Sequence, residues 1–202
     1  MSMDSATRAD QVQGDLELAR AAAGGDRLAW RAVYDGTCDP LFNFLCYQTG
    51  DREAAYDLLQ ETYLTALDRL GDYRGAGTLL GWLRAIALRK CLDWRRRLKS
   101  RMRKLTAFAT EQSSLAPAPA QEAFPGLGDE FQAALDRLSP RQRAALLLRE
   151  LEDLPFAAVA LQLGCSEATA RVHHHRAVQH LKGWLGEGRD VTLGADAGGM
   201  LS

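Results

Sequence analysis

The sequence predicts an all-α protein: two small helical domains joined by a flexible linker. Three observations lead there. Apolar residues recur at three- and four-residue steps through most of the chain, and no run alternates with period two. A Pro-rich stretch, Ala116-Pro-Ala-Pro-Ala120 followed by Pro125-Gly126, interrupts that pattern past the middle. Charge is segregated. The chain carries a net −1, yet residues 1–72 sum to −7, residues 73–104 to +10, residues 105–140 to −4 and residues 141–202 to zero. So dense a cationic block suits nucleic-acid phosphates better than an ordinary solvated helix face.

Residues 1–15 are polar and acidic, which reads as an N-terminal tail and not as a secretory signal. The first domain, 16–104, opens with Leu16 to Ala23 and Leu28 to Tyr34, helices split by Gly24-Gly25. Pro40 precedes a separate apolar segment, Leu41 to Gln48. Asp51 to Leu70 is predicted helical, with Ala55, Leu58, Leu59, Tyr63, Ala66, Leu67 and Leu70 on one face. Asp57, Glu61, Leu64 and Asp68 fall on another, and Gly71 ends the helix. Glycines mark residues 74–78 as a loop, and Thr78 is placed to cap the next helix. That helix runs from Leu79 to about Lys99, with its cations crowded into the second half. Spacing with Leu79 and Ile86 favours the core for Trp82, with base stacking as the alternative.

Residues 105–128 form the linker. The second domain, 129–185, begins with Phe131, Leu135 and Leu138, followed by a break and restart at Ser139-Pro140. Ala144 to Leu151 is strongly apolar, and Leu154-Pro155 stops it. Phe156 to Leu163, then Gly164, then Ser166 to about Trp184 gives helix, tight turn, helix, as in a helix-turn-helix. Ala170, His174, Ala177 and Leu181 point inward in that register; Arg171, His173, His175 and Arg176 lie outward or flanking. The Gly-rich residues 186–202 read as a disordered tail.

Several chemistries find no support. Cys38, Cys46, Cys91 and Cys165 lack metal-finger spacing and read as reduced, mostly buried thiols. His173-His174-His175 are successive helical residues about 100° apart, so they cannot converge on one ion. Neither a metal nor a cofactor is expected. Phosphate loops, nucleophile elbows and zinc-protease spacings are absent, so no enzyme is expected. No apolar run approaches the roughly 18–20 residues of a membrane span, and a cytoplasmic protein without membrane insertion is expected.

Residues 138–177, from Leu138-Ser-Pro-Arg-Gln-Arg143 through Gly164-Cys-Ser166 to Ala177, resemble the fourth conserved region of extracytoplasmic-function (ECF) sigma factors of RNA polymerase. Asp57-Leu-Leu-Gln-Glu-Thr-Tyr63 resembles the signature of their second region, and Tyr73-Arg-Gly75, Gly81-Trp-Leu-Arg-Ala-Ile-Ala87 and Cys91-Leu-Asp-Trp-Arg-Arg-Arg97 continue it. The resemblance implies that Asp57, Leu58, Gln60 and Glu61 dock on the β′ clamp of core polymerase, and that the β flap and promoter DNA are further partners. It implies that Arg74, Gly75, Ala76, Gly77 and Thr78 capture a flipped base of the minus-ten element. Arg84, Arg89, Lys90, Trp94, Arg95, Arg96 and Arg97 would hold the melted strand. Ser166, Glu167, Thr169, Arg171, His173, His175 and Arg176 would read the minus-thirty-five element. An anti-sigma factor is a further implied partner. The sequence departs from the family pattern at Arg89, His173, His174 and Ala157-Ala158.

Two other classes share part of this pattern. A LuxR-like helix-turn-helix regulator with an N-terminal sensor half also opens Leu-Ser-x-Arg-Gln, but needs neither the 57–63 signature nor the cationic 84–104 block. A sigma mimic that titrates an anti-sigma factor needs no DNA affinity, which the +10 block supplies.

Overall fold

A computed structural model describes residues 3–109 and 129–185. Eight α-helices and one 3₁₀ turn are found among the described residues, with no strand among them. The first unit comprises α1 (Met3–Ala23), α2 (Arg27–Thr49), α3 (Arg52–Arg69), the turn Leu70–Asp72 and α4 (Leu79–Ala109). The second comprises α5 (Asp129–Arg137), α6 (Pro140–Glu150), α7 (Phe156–Leu163) and α8 (Glu167–Leu185).

Local chemistry sets most helix ends. Asp26 and Asp51 each accept two first-turn N–H groups, starting α2 and α3. Ser139 and Gln142 form a capping box at α6, with Pro140 in its first turn. Gly50 and Gly164 stop α2 and α7 in the left-handed conformation, at φ +70° and +62°.

Three helices depart from expectation. Residues 27–49 form one helix with Pro40 inside it, not two segments. Ala29, Val33, Thr37, Leu41 and Leu45 make an unbroken buried stripe through the proline, and that burial outweighs a local cost of about 3 kcal/mol. α1 begins at Met3, inside the expected tail, and Val12 extends its packed face one turn before Leu16. α4 continues to Ala109, past the expected linker start, with no Gly or Pro to stop it.

The first core joins Leu41, Leu45, Leu58, Leu59, Ala66, Leu83 and Ala87, among others. Trp82 packs on it as expected, and so does Trp94. In the second unit α6, α7 and α8 pack through Ala144, Ala145, Leu148, Val159 and Ala170. Phe44 of α2 and Leu88 of α4 belong to this second cluster, so the two units share an apolar seam.

Arg143 of α6 completes the seam. Its side chain is 0% exposed and its Nη1 donates to the carbonyls of Tyr47 and Gln48, at 3.1 and 2.9 Å. The C-terminal end of a helix carries partial negative charge, which suits a guanidinium. Asp136 lies 2.9 Å from Nη2. Burial, joined by the charge of Arg95, pulls Arg143 down to about 10, so it remains charged at neutral pH.

Candidate polymerase-docking and promoter-binding surfaces

α3 has one face turned to water. Asp57, Gln60, Glu61 and Asp68 are exposed there, at the three- and four-residue steps of one helical surface. Leu58, expected in the docking set, is 4% exposed and belongs to the core, because its register matches Ala55, Thr62 and Ala66. Leu67, expected in the core, is 55% exposed, and Leu64 is 65% exposed. The surface is therefore acidic with two apolar residues in it, and Leu67 is the member that helical spacing misplaces. Two large aliphatics on an acidic stripe form a patch suited to a partner with basic and apolar side chains.

The loop between the 3₁₀ turn and α4 presents Arg74 and Ala76 to solvent, with Gly75, Gly77 and Thr78 half-buried. Gly75 adopts φ +71°, a conformation glycine takes without steric cost. Tyr73 donates its hydroxyl to the Gly77 carbonyl at 2.5 Å. Thr78 accepts the Gly81 N–H at 3.1 Å, the cap expected from sequence. A Cβ on Gly77 would stand 3.1 Å from Leu161, so α7 of the second unit closes on this loop.

The cations of α4 divide into two groups. Arg89, Arg96 and Arg97 are exposed, and Arg96 pairs with Asp93 on its own helix. Arg84 and Arg95 are held inside the molecule. Arg84 is 3% exposed and bonds Glu152 of the second unit at 2.5 Å. Arg95 donates to the Gln48 carbonyl at 2.6 Å and faces Asp136 at 3.8 Å. Lys90 lies 3.5 Å from Glu61, where the cationic helix meets the acidic face of α3. Trp94 is half-buried, packed against the first core.

In the second unit, Ser166 accepts the Thr169 N–H at 3.2 Å and so caps α8. Arg171 pairs with Glu167 and sits over the Phe156 ring, 4.6 Å from its centroid. His175 and Arg176 are exposed, and His173 is half-buried. Burial, followed by the charges of Arg141 and Arg176, holds His173 below its ordinary value. His174 turns inward and meets Glu150 at 2.7 Å. Ser166, Glu167, Thr169, Arg171, His175 and Arg176 thus share the solvent side of the helix-turn-helix. No group of three metal-ligating side chains is present among the described residues. No described helix is long and apolar enough to cross a membrane.

Comparison with known proteins matches the sigma-70 region 2 family over residues 38–101 and the sigma-70 region 4 family over residues 128–181. An ECF RNA polymerase sigma factor of Mycolicibacterium smegmatis, SigE, is 32% identical over 175 residues, covering 84% of this chain and 68% of that protein. The ECF sigma factor BldN of Streptomyces coelicolor is 29% identical over 168 residues; the match covers 82% of this chain and 64% of that longer protein. Among solved structures, sigma factor RpoE of Bartonella quintana, in complex with the anti-sigma factor NepR, superposes with a TM-score of 0.55 at 25% identity, covering 79% of this chain and 98% of that one. Two helical units in sigma order, an acidic face on α3, a cationic helix and a capped helix-turn-helix agree with these matches, and the chain belongs to the ECF family of RNA polymerase sigma factors.

Proposed function

We propose that this chain binds core RNA polymerase and directs it to promoters, reading a minus-ten element with its first unit and a minus-thirty-five element with its second. The observation that carries this reading is the division of surfaces on the first bundle. An acidic face on α3 carries exposed Leu64 and Leu67, and the cationic helix α4 lies beside it, meeting it at Lys90 and Glu61. One face suits a basic protein, the other a polyanion, and a single bundle bridges the two.

The chain contributes binding energy and no bond chemistry. Asp57, Gln60 and Glu61, with Leu64 and Leu67, dock on the β′ clamp; the second unit adds a contact to the β flap. Arg89, Arg96 and Arg97 meet phosphates of the displaced strand, while residues 74–78 hold an extruded base. Melting costs about 1.4 kcal/mol per base-pair step, and each captured base returns roughly 1–3 kcal/mol. α8 lies in the upstream major groove with Arg171, His175 and Arg176 toward DNA. Arg84 and Arg95 reach DNA only after exchanging Glu152 and Asp136 for phosphates. An anti-sigma factor controls the protein, as the Bartonella quintana complex suggests, and the site of action is the cytoplasm.

The test is the double variant Asp57→Ala/Glu61→Ala. Its affinity for core enzyme should fall about tenfold or more with helicity and thermal unfolding unchanged. Undiminished core affinity would remove α3 from the docking surface.

A further inference from the structure

The loop at residues 74–78 is buttressed by a helix that the functional reading does not use. Val12, Leu16 and Ala19 lie along one face of α1. A Cβ on Gly75 would stand 3.4 Å from Val12 and 3.7 Å from Leu16, so the loop backbone rests on that face. On the same stretch of α1, Asp15 Oδ2 accepts the backbone N–H of Leu79 at 2.6 Å, across 64 residues of sequence. Leu79 is the first residue of α4, and the opening N–H groups of a helix have no partner within it. Thr78 takes the N–H of Gly81; Asp15 takes that of Leu79. On the loop's other flank, Tyr73 bonds the Gly77 carbonyl. Burial, aided by the negative charge of Asp15, pushes the Tyr73 phenol up to about 12, which keeps its proton available for that bond.

A carboxylate beside a phosphate-binding surface is electrostatically unfavourable for DNA binding. Here it faces a helix N-terminus, where backbone N–H groups and the helix dipole complement it. A small side chain at residue 15 would leave the Leu79 N–H without this partner and the loop free to shift on α1. We infer that Asp15 is a positioning residue for promoter recognition: it pins the start of α4 so that residues 74–78 present one conformation to the minus-ten base. This rests on the base-capture reading of the loop given above. Asp15 acts through the loop and touches no DNA, so its loss should reduce discrimination among bases more than overall affinity for phosphates.

The experiment uses holoenzyme reconstituted from core polymerase and the full chain, transcribing a promoter library randomised across the minus-ten element. Asp15→Ala should flatten the base preference at one minus-ten position by roughly tenfold, the scale of one hydrogen bond to a charged group. Core affinity, the minus-thirty-five preference and the thermal midpoint should be little changed. Asp15→Asn keeps a side-chain oxygen for Leu79 and should restore the preference. An unchanged minus-ten preference in Asp15→Ala, an equal loss at every promoter, or an Asn variant no better than Ala would overturn the inference. Arg74→Ala and Ala76→Asp are the controls on the loop itself. If they shift the preference and Asp15→Ala does not, the error lies with Asp15; if none of the three shifts it, the base-capture reading has failed as well.

Discussion

The two helices proposed to face DNA handle their cations differently. On α8, Arg171, His175 and Arg176 face water, and the partners of Arg171 are its helix neighbour Glu167 and the Phe156 ring. On α4, Arg84 and Arg95 are turned into the seam, where Glu152, Asp136 and the Gln48 carbonyl receive them. The same residue type therefore does two jobs, decided by depth. In this arrangement the proposed upstream-reading surface is open and part of the proposed downstream-reading surface is covered by the chain's own acids. The seam mixes apolar contacts with buried polar groups. Both amide atoms of Gln48 are buried without a hydrogen-bond partner, an arrangement native interiors mostly avoid. Phosphates of a bound polyanion would compete with Glu152 and Asp136 for the same arginines.

That contrast can be broken most severely at Arg143. Arg143→Ala leaves Asp136 and two helix-end carbonyls without their buried cation, a destabilisation of about 3–5 kcal/mol. The expected outcome is a lower unfolding midpoint together with faster proteolysis between the units. A compact, unaltered digestion pattern would show that the apolar contacts of Phe44 and Leu88 hold the seam by themselves.

A smaller effect separates the two groups on α4. Arg96→Ala with Arg97→Ala should lower the salt dependence of single-strand binding by about 0.7 for each phosphate no longer neutralised, with little change in thermal stability. Arg95→Ala should do the reverse, lowering stability more than the salt slope. Equal salt slopes for the two variants would erase the distinction drawn from burial.

The smallest effect belongs to the open surface. Arg171→Ala should cost roughly 1–3 kcal/mol in upstream-element recognition if the guanidinium reads a base edge, seen as a weakened footprint with minus-ten contacts intact. An unaltered footprint would confine Arg171 to its contacts with Glu167 and Phe156.

The helix-turn-helix is legible in the sequence almost in full, because Gly164 and Ser166 punctuate it and the apolar register of Ala170, Ala177 and Leu181 is strict. So is the all-α class. Sequence divides α2 too early because a proline's local penalty is visible there, whereas the buried stripe that carries the helix past Pro40 is a tertiary fact. In α3, spacing places Leu58 correctly on the apolar face and Leu67 wrongly: seven apolar positions cover more of a helix than one neighbour buries, and spacing alone does not say which edge stays wet. The partners of Arg84, Arg95 and Arg143 are out of reach for a different reason. Glu152 lies 68 residues from Arg84, and the Gln48 carbonyl lies 47 and 95 residues from Arg95 and Arg143, and no periodicity encodes such pairs. The part of α1 that extends back to Val12 does have a spacing cue, the steps from Val12 to Leu16 to Ala19.

Two helical units that jointly deliver a promoter to a polymerase unable to select it unaided should leave a direct signature. It is read by in vitro transcription with purified core enzyme, with and without this protein, on a genomic promoter library at low salt. The expected result is a discrete set of protein-dependent start sites sharing two spaced elements. A library transcribed identically in both reactions, with no complex formed between the protein and core enzyme, would contradict it.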